Sequence, residues 1–413
     1  MSIRLRLIIM NFLEFFVFGS WLISFGGYMI NSLGFTGLQV GSIYATMGIA
    51  SVFMPPLLGI VADKWINAER VLGICHLIGA GLLIWASTVT DFRMLYMVML
   101  LYSMFYMPTI ALSNTVSYIS LERNGFEIVK AFPPIRTWGT VGFICAMWFV
   151  DLTGFATSSK QLYITAAAAL VLGIYSFTVT KCPPIKSTEK KSLASSLGLD
   201  AFVLFRQKKM LIFFVFAMFL GAALQITNTF GGSFLLDFQR DYADSFAVKH
   251  PTILLSVSQI SETLFILTIP FFLARFGIKT VMLLSIFAWV LRFALFGIGN
   301  PGGGFVFLIL SMIIYGMAFD FFNISGSLFV EKEADIKMRA SAQGLFMLMT
   351  NGLGAFVGGM LSGWVVDHFT HDGIKDWPSI WFTFAGYALV LGIMFQLVFK
   401  YKHDPAKLLA IKN

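Results

Sequence analysis

Apolar residues gather into twelve long runs along this chain, and short polar segments separate them. A helix that crosses a bilayer needs about 20 residues at a rise of about 1.5 Å each, and every run has about that length. A run surrounded by lipid must be helical, because no water is present to bond its backbone groups. The pattern therefore predicts an all-α membrane protein with twelve transmembrane helices, at residues 8–30, 38–61, 71–90, 94–118, 135–156, 162–180, 210–234, 252–273, 278–298, 304–329, 340–366 and 379–400.

The longest polar stretch on the predicted cytoplasmic side separates the first six runs from the last six. This division predicts a six-helix bundle over 1–180, a cytoplasmic linker over 181–209 and a second six-helix bundle over 210–413. Two six-helix bundles joined by a basic loop are typical of transporters built from structural repeats. The competing interpretation is a division that arose by chance.

The basic residues indicate which side of the membrane each loop faces. If the N-terminus is cytoplasmic, 22 of the 29 Lys and Arg residues fall in cytoplasmic segments, two fall within runs, and five fall outside, at Arg93, Lys160, Arg240, Lys249 and Lys375. Cytoplasmic loops are the ones that retain Lys and Arg. Both ends of the chain are therefore predicted to be cytoplasmic.

Composition excludes an ordinary soluble domain. The chain is 58% hydrophobic and 12% charged, whereas roughly 25% of residues are charged in soluble domains. The net charge of +8 is explained by basic cytoplasmic loops, so we expect no nucleic-acid partner. The three cysteines are too scattered for a disulfide framework or a metal site, and no nucleophile elbow or phosphate-binding loop occurs. We therefore expect a protein that is not an enzyme and uses no cofactor.

Ionisable side chains within the runs are the first candidates for function, because each costs roughly 2.5–3.5 kcal/mol on insertion scales. Glu14 lies in the first run, about 9 Å from its cytoplasmic start by helical rise. Its carboxylate is predicted to line a cavity. The alternative is a buried carboxyl group that a neighbouring helix holds.

Three residues of the fifth run, Arg136, Thr140 and Phe143, follow i, i+4, i+7 spacing and therefore share one helix face. The pair Pro133 and Pro134 predicts that the helix begins just before Arg136. With that start, the guanidinium can simply extend to the cytoplasmic interface. An earlier start would place Arg136 deep in the membrane, where it would bind substrate.

Two amide-containing pairs recur at i, i+3 spacing in the second half. Gln225 and Asn228 lie in the seventh run, and Gln259 and Glu262 lie in the eighth. Amides both donate and accept hydrogen bonds, so such pairs can bind a hydroxyl group or the edge of a base. The alternatives are hydrogen bonds between helices for the amides and an ion pair with Arg292 for Glu262.

The tenth run combines aromatic residues with an acid. Tyr315 and Phe319 form an aromatic face that is either ordinary packing or a wall on which a planar ring stacks. Asp320 is the best candidate for a proton carrier, because a carboxyl group in a low dielectric binds its proton more tightly than in water. The alternative for Asp320 is a permanent ion pair with Arg136.

These candidates come from the first, fifth, seventh, eighth and tenth runs. In transporters built from repeats, substrate sites lie near the middle of the membrane where the repeats meet. The set of amides, carboxylates and aromatic rings fits a neutral solute with hydroxyl groups and a flat ring. It lacks the several basic groups that a phosphate requires and the apolar lining that a lipid requires. A nucleoside matches this chemistry best.

The whole chain resembles the bacterial nucleoside:proton symporters of the major facilitator superfamily. Residues 192–205 are nearest to the xanthosine permease branch of that family, and the broad-specificity nucleoside permease is almost as similar. The resemblance rests on six segments, which are Gly59–Trp65, Ala131–Phe143, Gly198–Phe205, Leu224–Asn228, Gln259–Pro270 and Ala318–Ser327.

The resemblance implies a monomeric, proton-driven nucleoside importer in the bacterial inner membrane. It implies that Asp320 couples transport to protons. It also marks Glu14 as a departure, since the nearest relatives carry Gln there, and we expect this extra carboxylate to take part in proton coupling. The competing functions are a permease for a sugar or another polar solute and a membrane sensor that binds without transporting. The residues that the resemblance assigns to nucleoside binding are Arg136, Thr140, Phe143, Gln225, Asn228, Gln259, Glu262, Tyr315 and Phe319.

Overall fold

The structure is a computed structural model that describes residues 2–184 and 199–401. By its internal contacts the chain forms two units, Met1–Leu197 with Asn228–Ser233 and Gly198–Thr227 with Phe234–Asn413. The centre of the predicted linker, residues 185–198, lies outside the described residues, as do residues 402–413. Almost all of the described chain is helical.

The first unit is built from helices that pack side by side. α1 packs against α6, and α5 packs against both α3 and α4. A further pair of neighbours is formed by α4 and α7. The helices of this unit are α1 (Ile3–Gly19), α2 (Phe25–Asn31), α3 (Gly37–Lys64), α4 (Ala68–Thr88), α5 (Phe92–Arg123), α6 (Ile128–Leu152) and α7 (Lys160–Ser176).

The second unit centres on α13, which packs against α11 and α12, while α12 also packs against α16. A π-helix over Leu348–Gly354 connects α14 to α15, and a short antiparallel pair of strands, β1 (Thr370–His371) and β2 (Ile374–Lys375), precedes α16. The helices are α8 (Lys208–Leu236), α9 (Gln239–Tyr242), α10 (Phe246–Lys249), α11 (Pro251–Ile266), α12 (Ile269–Ile298), α13 (Phe305–Glu333), α14 (Arg339–Met347), α15 (Ala355–His368) and α16 (Trp377–Val398).

Every predicted run coincides with helix, although the runs and the helices differ in detail. Within the described residues, eight helices are long and apolar enough to cross a membrane by length and composition. The first predicted run is divided between α1 and α2. The predicted boundary between the eighth and ninth runs falls inside α12, where Gly277 has φ 75° and ψ 170°. Glycine adopts this positive φ without steric cost, so the chain turns there as the polar pattern indicated.

The start of α6 corrects one prediction. The helix begins at Ile128, not just before Arg136, and both Pro133 and Pro134 lie inside it. Proline removes a hydrogen bond to the carbonyl group four residues earlier. Here those carbonyls belong to residues 129 and 130 in the first helical turn, where Lys130 is exposed. The prolines are therefore tolerated, and Arg136 lies about 12 Å along the helix from its start.

The segment after α7 is tied to the first unit by backbone contacts. The Cys182 amide donates to Glu69 Oε2 at 2.8 Å, and the Ala68 amide donates to the Cys182 carbonyl at 3.1 Å. Arg123 also donates to the Lys181 carbonyl. Glu69 is buried in the first turn of α4, where a carboxylate is favoured by the helix dipole. The first residues of the predicted linker are therefore held against the helices of this unit.

We expect the Cys182 thiol to react slowly with maleimide at neutral pH. Burial raises its pKa to about 11, and the Glu69 carboxylate contributes in the same direction. The reactive thiolate therefore forms only as the pH rises toward that value. In a variant with Cys75→Ser and Cys145→Ser, labelling of the folded protein should accelerate with alkaline pH, and denaturation should make it fast. Rapid labelling of the folded protein at neutral pH would contradict this burial.

Candidate functional site

The predicted binding face of α6 lies against α1 because two glycines let the helices approach closely. A Cβ atom on Gly142 would lie 2.2 Å from the Phe12 carbonyl oxygen, and one on Gly19 would lie 2.5 Å from the carbonyl oxygen of Phe143. Real Cβ atoms do not approach backbone oxygens so closely, so any larger residue would push the helices apart. The backbone contact therefore fixes the position of Phe143 relative to α1.

Arg136 and Phe143 both contact aromatic rings of α1. The Arg136 guanidinium carbon lies 3.8 Å from the centre of the Phe15 ring, and Phe143 meets Phe18 edge to face at 5.9 Å. Thr140 lies between them along the helix and is half-buried. The structure thus brings the three predicted residues of the first unit onto one face. Arg136 is packed over a ring, which a side chain that only reached for the cytoplasmic interface would not require.

Glu14 occupies a different environment in the interior of the first unit. Its side chain is fully buried, and His76 Nε2 lies 2.9 Å from Glu14 Oε2. The Thr109 hydroxyl donates to Glu14 Oε1 at 2.6 Å, and the Tyr106 hydroxyl donates to the Glu14 backbone carbonyl at 3.1 Å. Helices α4 and α5 therefore hold this carboxyl group, which is the alternative that the sequence left open for it.

We expect Glu14→Ala to destabilise the protein strongly. Removing a buried carboxyl group leaves its hydrogen-bond partners unsatisfied, at a cost of about 1–3 kcal/mol for each buried polar group left without a partner. The matched control is Glu127→Ala, which removes an exposed carboxylate paired with Lys130 at 2.6 Å and should cost less than about 1 kcal/mol. Thermal unfolding of the purified proteins in detergent measures both effects. Equal decreases in unfolding temperature for the two variants would show that the buried contacts of Glu14 stabilise the protein no more than an exposed ion pair does.

In the second unit, close backbone contact joins α11 to α13. A Cβ atom on Gly316 would lie 2.6 Å from the Ser261 carbonyl oxygen and 2.8 Å from the Glu262 amide nitrogen. The Ser261 hydroxyl also donates to the Ile313 carbonyl across the same contact. Glu262 is thus held beside the turn of α13 that carries the predicted aromatic face.

Four predicted residues meet at this contact. The Tyr315 hydroxyl and the Gln259 side chain lie close enough to interact, and Glu262 lies close enough to interact electrostatically with both Tyr315 and Asp320. Tyr315 and Asp320 are 4% exposed, while Gln259 and Glu262 are half-buried. The second unit therefore contains a cluster of two carboxyl groups, an amide and a phenol, which we call the α11–α13 cluster.

The aromatic face continues from this cluster along α13. Tyr315 and Phe319 are stacked with their ring centres 5.9 Å apart and their planes at 7°. Phe319 is half-buried and lines a small crevice together with Asn323 and Asn351. A half-buried ring with amides beside it can stack on a flat solute, while the amides form hydrogen bonds with the edge of that solute.

The structure places Gln225 and Asn228 on α8, one helical turn apart. Gln225 is buried, and its Cβ would lie 2.9 Å from a Cβ added to Gly358 of α15. Asn228 is half-buried. Both remain predicted binding residues, and neither is part of the α11–α13 cluster as defined above.

Arg292 does not form the carboxylate pair that was the alternative for Glu262. Its Nη1 donates to the Ser311 carbonyl at 2.9 Å and to the Ser258 hydroxyl at 3.4 Å. Its guanidinium carbon lies 4.6 Å from the centre of the Tyr315 ring. Through these contacts Arg292 packs against the Tyr315 ring of the aromatic face.

Sequence reasoning missed several groups that complete these surroundings. His76 and Thr109 hold Glu14, Phe15 supports Arg136, and Ser258 contacts Arg292. A histidine in an otherwise apolar run was a usable signal, because such a residue needs a polar partner. The Phe15 contact could not be found in this way, since phenylalanine is too common in this chain to single out one ring. Within residues 2–184 and 199–401, no group of three or more metal-ligating side chains occurs.

A family model described as "Nucleoside H+ symporter" matches residues 1–404 of the chain. The chain belongs to the nucleoside H+ symporter family. The match extends over both units, so the symporter is a multi-pass membrane transporter and not an enzyme. The buried polar groups of the α11–α13 cluster thus belong to a protein whose family moves nucleosides together with protons.

Curated relatives agree with this assignment. The symporter is 59% identical to xanthosine permease of Escherichia coli strain K12 over 411 residues, which cover 99% of this chain and 98% of the permease. It is 55% identical to nucleoside permease NupG of the same organism over 406 residues, which cover 98% of this chain and 97% of the permease. Both relatives are permeases and span the symporter nearly from end to end.

Solved structures show the same fold. The crystal structure of nucleoside transporter NupG matches with a TM-score of 0.92 at 55% identity, and it covers 97% of this chain and 100% of that one. A bacterial homologue of the human lysosomal transporter Spinster, inward-facing and unoccupied, matches with a TM-score of 0.68 at 14% identity over 96% of this chain and 94% of that one. At that low identity the second match shows the transporter fold alone.

Proposed function

We propose that this symporter imports purine and pyrimidine nucleosides together with protons by alternating access. In this proposal it is a monomer in the bacterial inner membrane, with twelve transmembrane helices and both ends in the cytoplasm. Its six-helix bundles cover 1–180 and 210–413, and 181–209 joins them. The observation that carries the proposal is the α11–α13 cluster, which places two carboxyl groups, an amide and an aromatic face together in an apolar unit.

The chemistry of this cluster suits a nucleoside. A carboxylate such as that of Glu262 accepts hydrogen bonds from ribose hydroxyls, and bonds to charged acceptors are about twice as strong as neutral ones. The Gln259 amide both donates and accepts, so it can bond to a hydroxyl group or the edge of a base. The rings of Tyr315 and Phe319 offer a face on which a base can stack. Further contacts are proposed for Arg136, Thr140, Phe143, Gln225 and Asn228.

Asp320 is the proposed proton carrier. It is nearly buried, its Oδ2 has no hydrogen-bond partner within the described part of the chain, and Glu262 is close enough to influence it electrostatically. Two neighbouring carboxyl groups in a low dielectric resist being ionised together. A proton on Asp320 therefore favours the ionised form of Glu262, which is the form that accepts the nucleoside hydroxyls.

This arrangement couples the two substrates through binding free energy. A proton that improves nucleoside binding must itself be bound more tightly when the nucleoside is present, because linkage is reciprocal. Net import then requires only that the doubly loaded carrier and the empty carrier exchange between inward-open and outward-open states. Glu14 was predicted to share in coupling, but its burial between His76 and Thr109 favours a structural role.

Competition for uptake tests the choice of substrate. Cells that express the symporter should accumulate radiolabelled uridine or xanthosine, and an excess of unlabelled nucleosides should suppress that uptake. An excess of glucose or another sugar should leave it unchanged. Suppression by sugars, with none by nucleosides, would support the alternative of a sugar permease, and binding of nucleoside without uptake would support a sensor.

A further inference from the structure

Arg292 is a buried cation for which the transport mechanism above has no use. It lies on α12 and is only 2% exposed. Its guanidinium hydrogen bonds go to a backbone carbonyl and a hydroxyl group, not to a carboxylate, and its Nε has no hydrogen-bond partner in the part of the chain that the structure describes. A charged side chain at such a site is costly and is retained where it serves function.

The contacts of Arg292 converge on the aromatic face. Its guanidinium carbon lies 4.6 Å from the centre of the Tyr315 ring and 5.0 Å from that of Phe296. Trp289, one turn earlier on α12, meets Tyr315 edge to face at 6.0 Å. A cation held against an aromatic face in a desolvated site interacts strongly with it. The Tyr315 ring is therefore held from α12, while the Gln259 side chain of α11 lies next to its hydroxyl group.

Arg292 also links the two helices that form the α11–α13 cluster. Nη1 bonds to Ser258 on α11, which directly precedes Gln259, and to the Ser311 carbonyl on α13, one turn before Tyr315. In return, the Ser311 hydroxyl donates to the Arg292 carbonyl at 2.8 Å. The Arg292 guanidinium thus bonds to both of the helices that carry Gln259 and Tyr315.

We propose that Arg292 is a positioning residue for nucleoside recognition. It holds the Tyr315 ring and the Gln259 amide in the orientation that receives the nucleoside, and it does not contact the nucleoside itself. This inference rests on the proposed function of the α11–α13 cluster. It assigns Arg292 a role in affinity, in place of the ion pair that the sequence alone suggested.

Uptake kinetics in proteoliposomes test the inference, with uridine or xanthosine as the probe, whichever the wild-type symporter transports faster. Arg292→Met keeps the volume but removes the charge and the hydrogen bonds. It should raise KM about tenfold with Vmax within about twofold, because a desolvated cation–π contact and its hydrogen bonds are lost. The matched control is Ser311→Ala. It removes the hydrogen bond from the Ser311 hydroxyl to the Arg292 carbonyl, which joins α13 to α12, and it keeps the Ser311 carbonyl to which Arg292 donates. If KM rises as much in this control as in Arg292→Met, the effect of Arg292 comes from packing between helices, and the positioning role is contradicted.

A double variant separates positioning from general stability. If Arg292 acts through the ring, Tyr315→Leu and Arg292→Met should each raise KM about tenfold, and the double variant should also raise it about tenfold, not about a hundredfold. Independent, multiplying effects would overturn the inference. If Arg292→Met does not fold, Arg292→Lys, which keeps the charge but loses the planar group, replaces it in the same cycle under the same criterion.

The proposed function and the positioning role of Arg292 are contradicted by different results. If the wild-type protein transports neither nucleoside, the proposed function fails. If the wild-type protein transports nucleoside and the folded Arg292 variants keep its KM, only the positioning role fails.

Discussion

Asp320→Asn is expected to abolish uphill accumulation of nucleoside while leaving nucleoside binding and exchange intact. Asparagine has nearly the shape of aspartic acid and cannot release or take up a proton in its place. If Asp320 carries the coupled proton, the variant carrier still binds nucleoside and still changes conformation. It cannot draw on the proton gradient, so nucleoside only equilibrates across the membrane.

Two measurements in proteoliposomes test this. The first is uptake of nucleoside under an imposed pH gradient, and the second is exchange of external labelled nucleoside for unlabelled nucleoside inside the vesicles. The matched control is Asp244→Asn, the same substitution at an exposed residue of the second unit that pairs with Lys249 at 2.8 Å. Its pKa is lowered by the hydrogen bond and charge of Lys249, so it stays ionised at neutral pH and has no proton to carry. The control should accumulate nucleoside normally. Full accumulation by Asp320→Asn would remove Asp320 from the mechanism.

Glu262→Gln is expected to weaken nucleoside binding by about tenfold to a hundredfold. A hydrogen bond to a charged acceptor contributes about 1.5–3 kcal/mol, and about 1.4 kcal/mol corresponds to a factor of ten. Glutamine keeps the size of the side chain and loses the charge. The close contact of Gly316 with the backbone at residues 261 and 262 should hold the new side chain in the same place, so the change isolates the carboxylate.

Equilibrium binding of labelled nucleoside to the purified protein measures this effect. Glu331→Gln serves as the control, since it makes the same substitution on α13 of the same unit, at a partly exposed pair with Arg339, 2.9 Å apart. Its dissociation constant should stay close to that of the wild-type protein. An unchanged constant for Glu262→Gln would mean that its carboxylate does not bind the nucleoside.

Hydropathy predicted the helices well because lipid leaves the backbone no other solution. Each long apolar run coincides with helix, and Gly277 breaks α12 where polar residues had divided two runs. The predicted start of α6 is wrong, because a proline pair is typical of a helix start but also fits within the first turns of a longer helix. The same pair fits within the first turns of a helix, because solvent at the exposed end can bond to the carbonyl groups that the prolines leave without a partner. Local sequence does not distinguish a helix that begins at the prolines from one that begins a turn or two earlier.

Helical spacing predicted which residues share a face, and the structure agrees for Arg136 with Phe143 and for Gln259 with Glu262. Spacing could not tell what each face meets. Glu14 was expected beside a cavity but lies against His76 and Thr109, which come from runs more than fifty residues away. The partners of Arg292 also differ from the carboxylate pair that the sequence left open as an alternative. A buried cation suggests a carboxylate, whereas this one is held by hydroxyl, carbonyl and aromatic groups that leave no signature at fixed spacing.

Glycine explains much of what spacing left open. Gly142 and Gly316 each let one backbone approach another within a distance that no Cβ atom would permit. These two contacts set the position of Phe143 in the first unit and of Glu262 in the second. Their role becomes visible only when the partner helix is known, because a glycine in a membrane helix has several possible uses.

The central claim is that nucleoside and proton move together. The most direct test is proton flux triggered by nucleoside, in proteoliposomes that hold a pH-sensitive dye and start without any pH gradient. Addition of uridine or xanthosine outside should acidify the interior when the membrane potential is clamped, and Asp320→Asn should remove the acidification. If labelled nucleoside enters vesicles that contain the wild-type protein and the internal pH does not change, the account is contradicted.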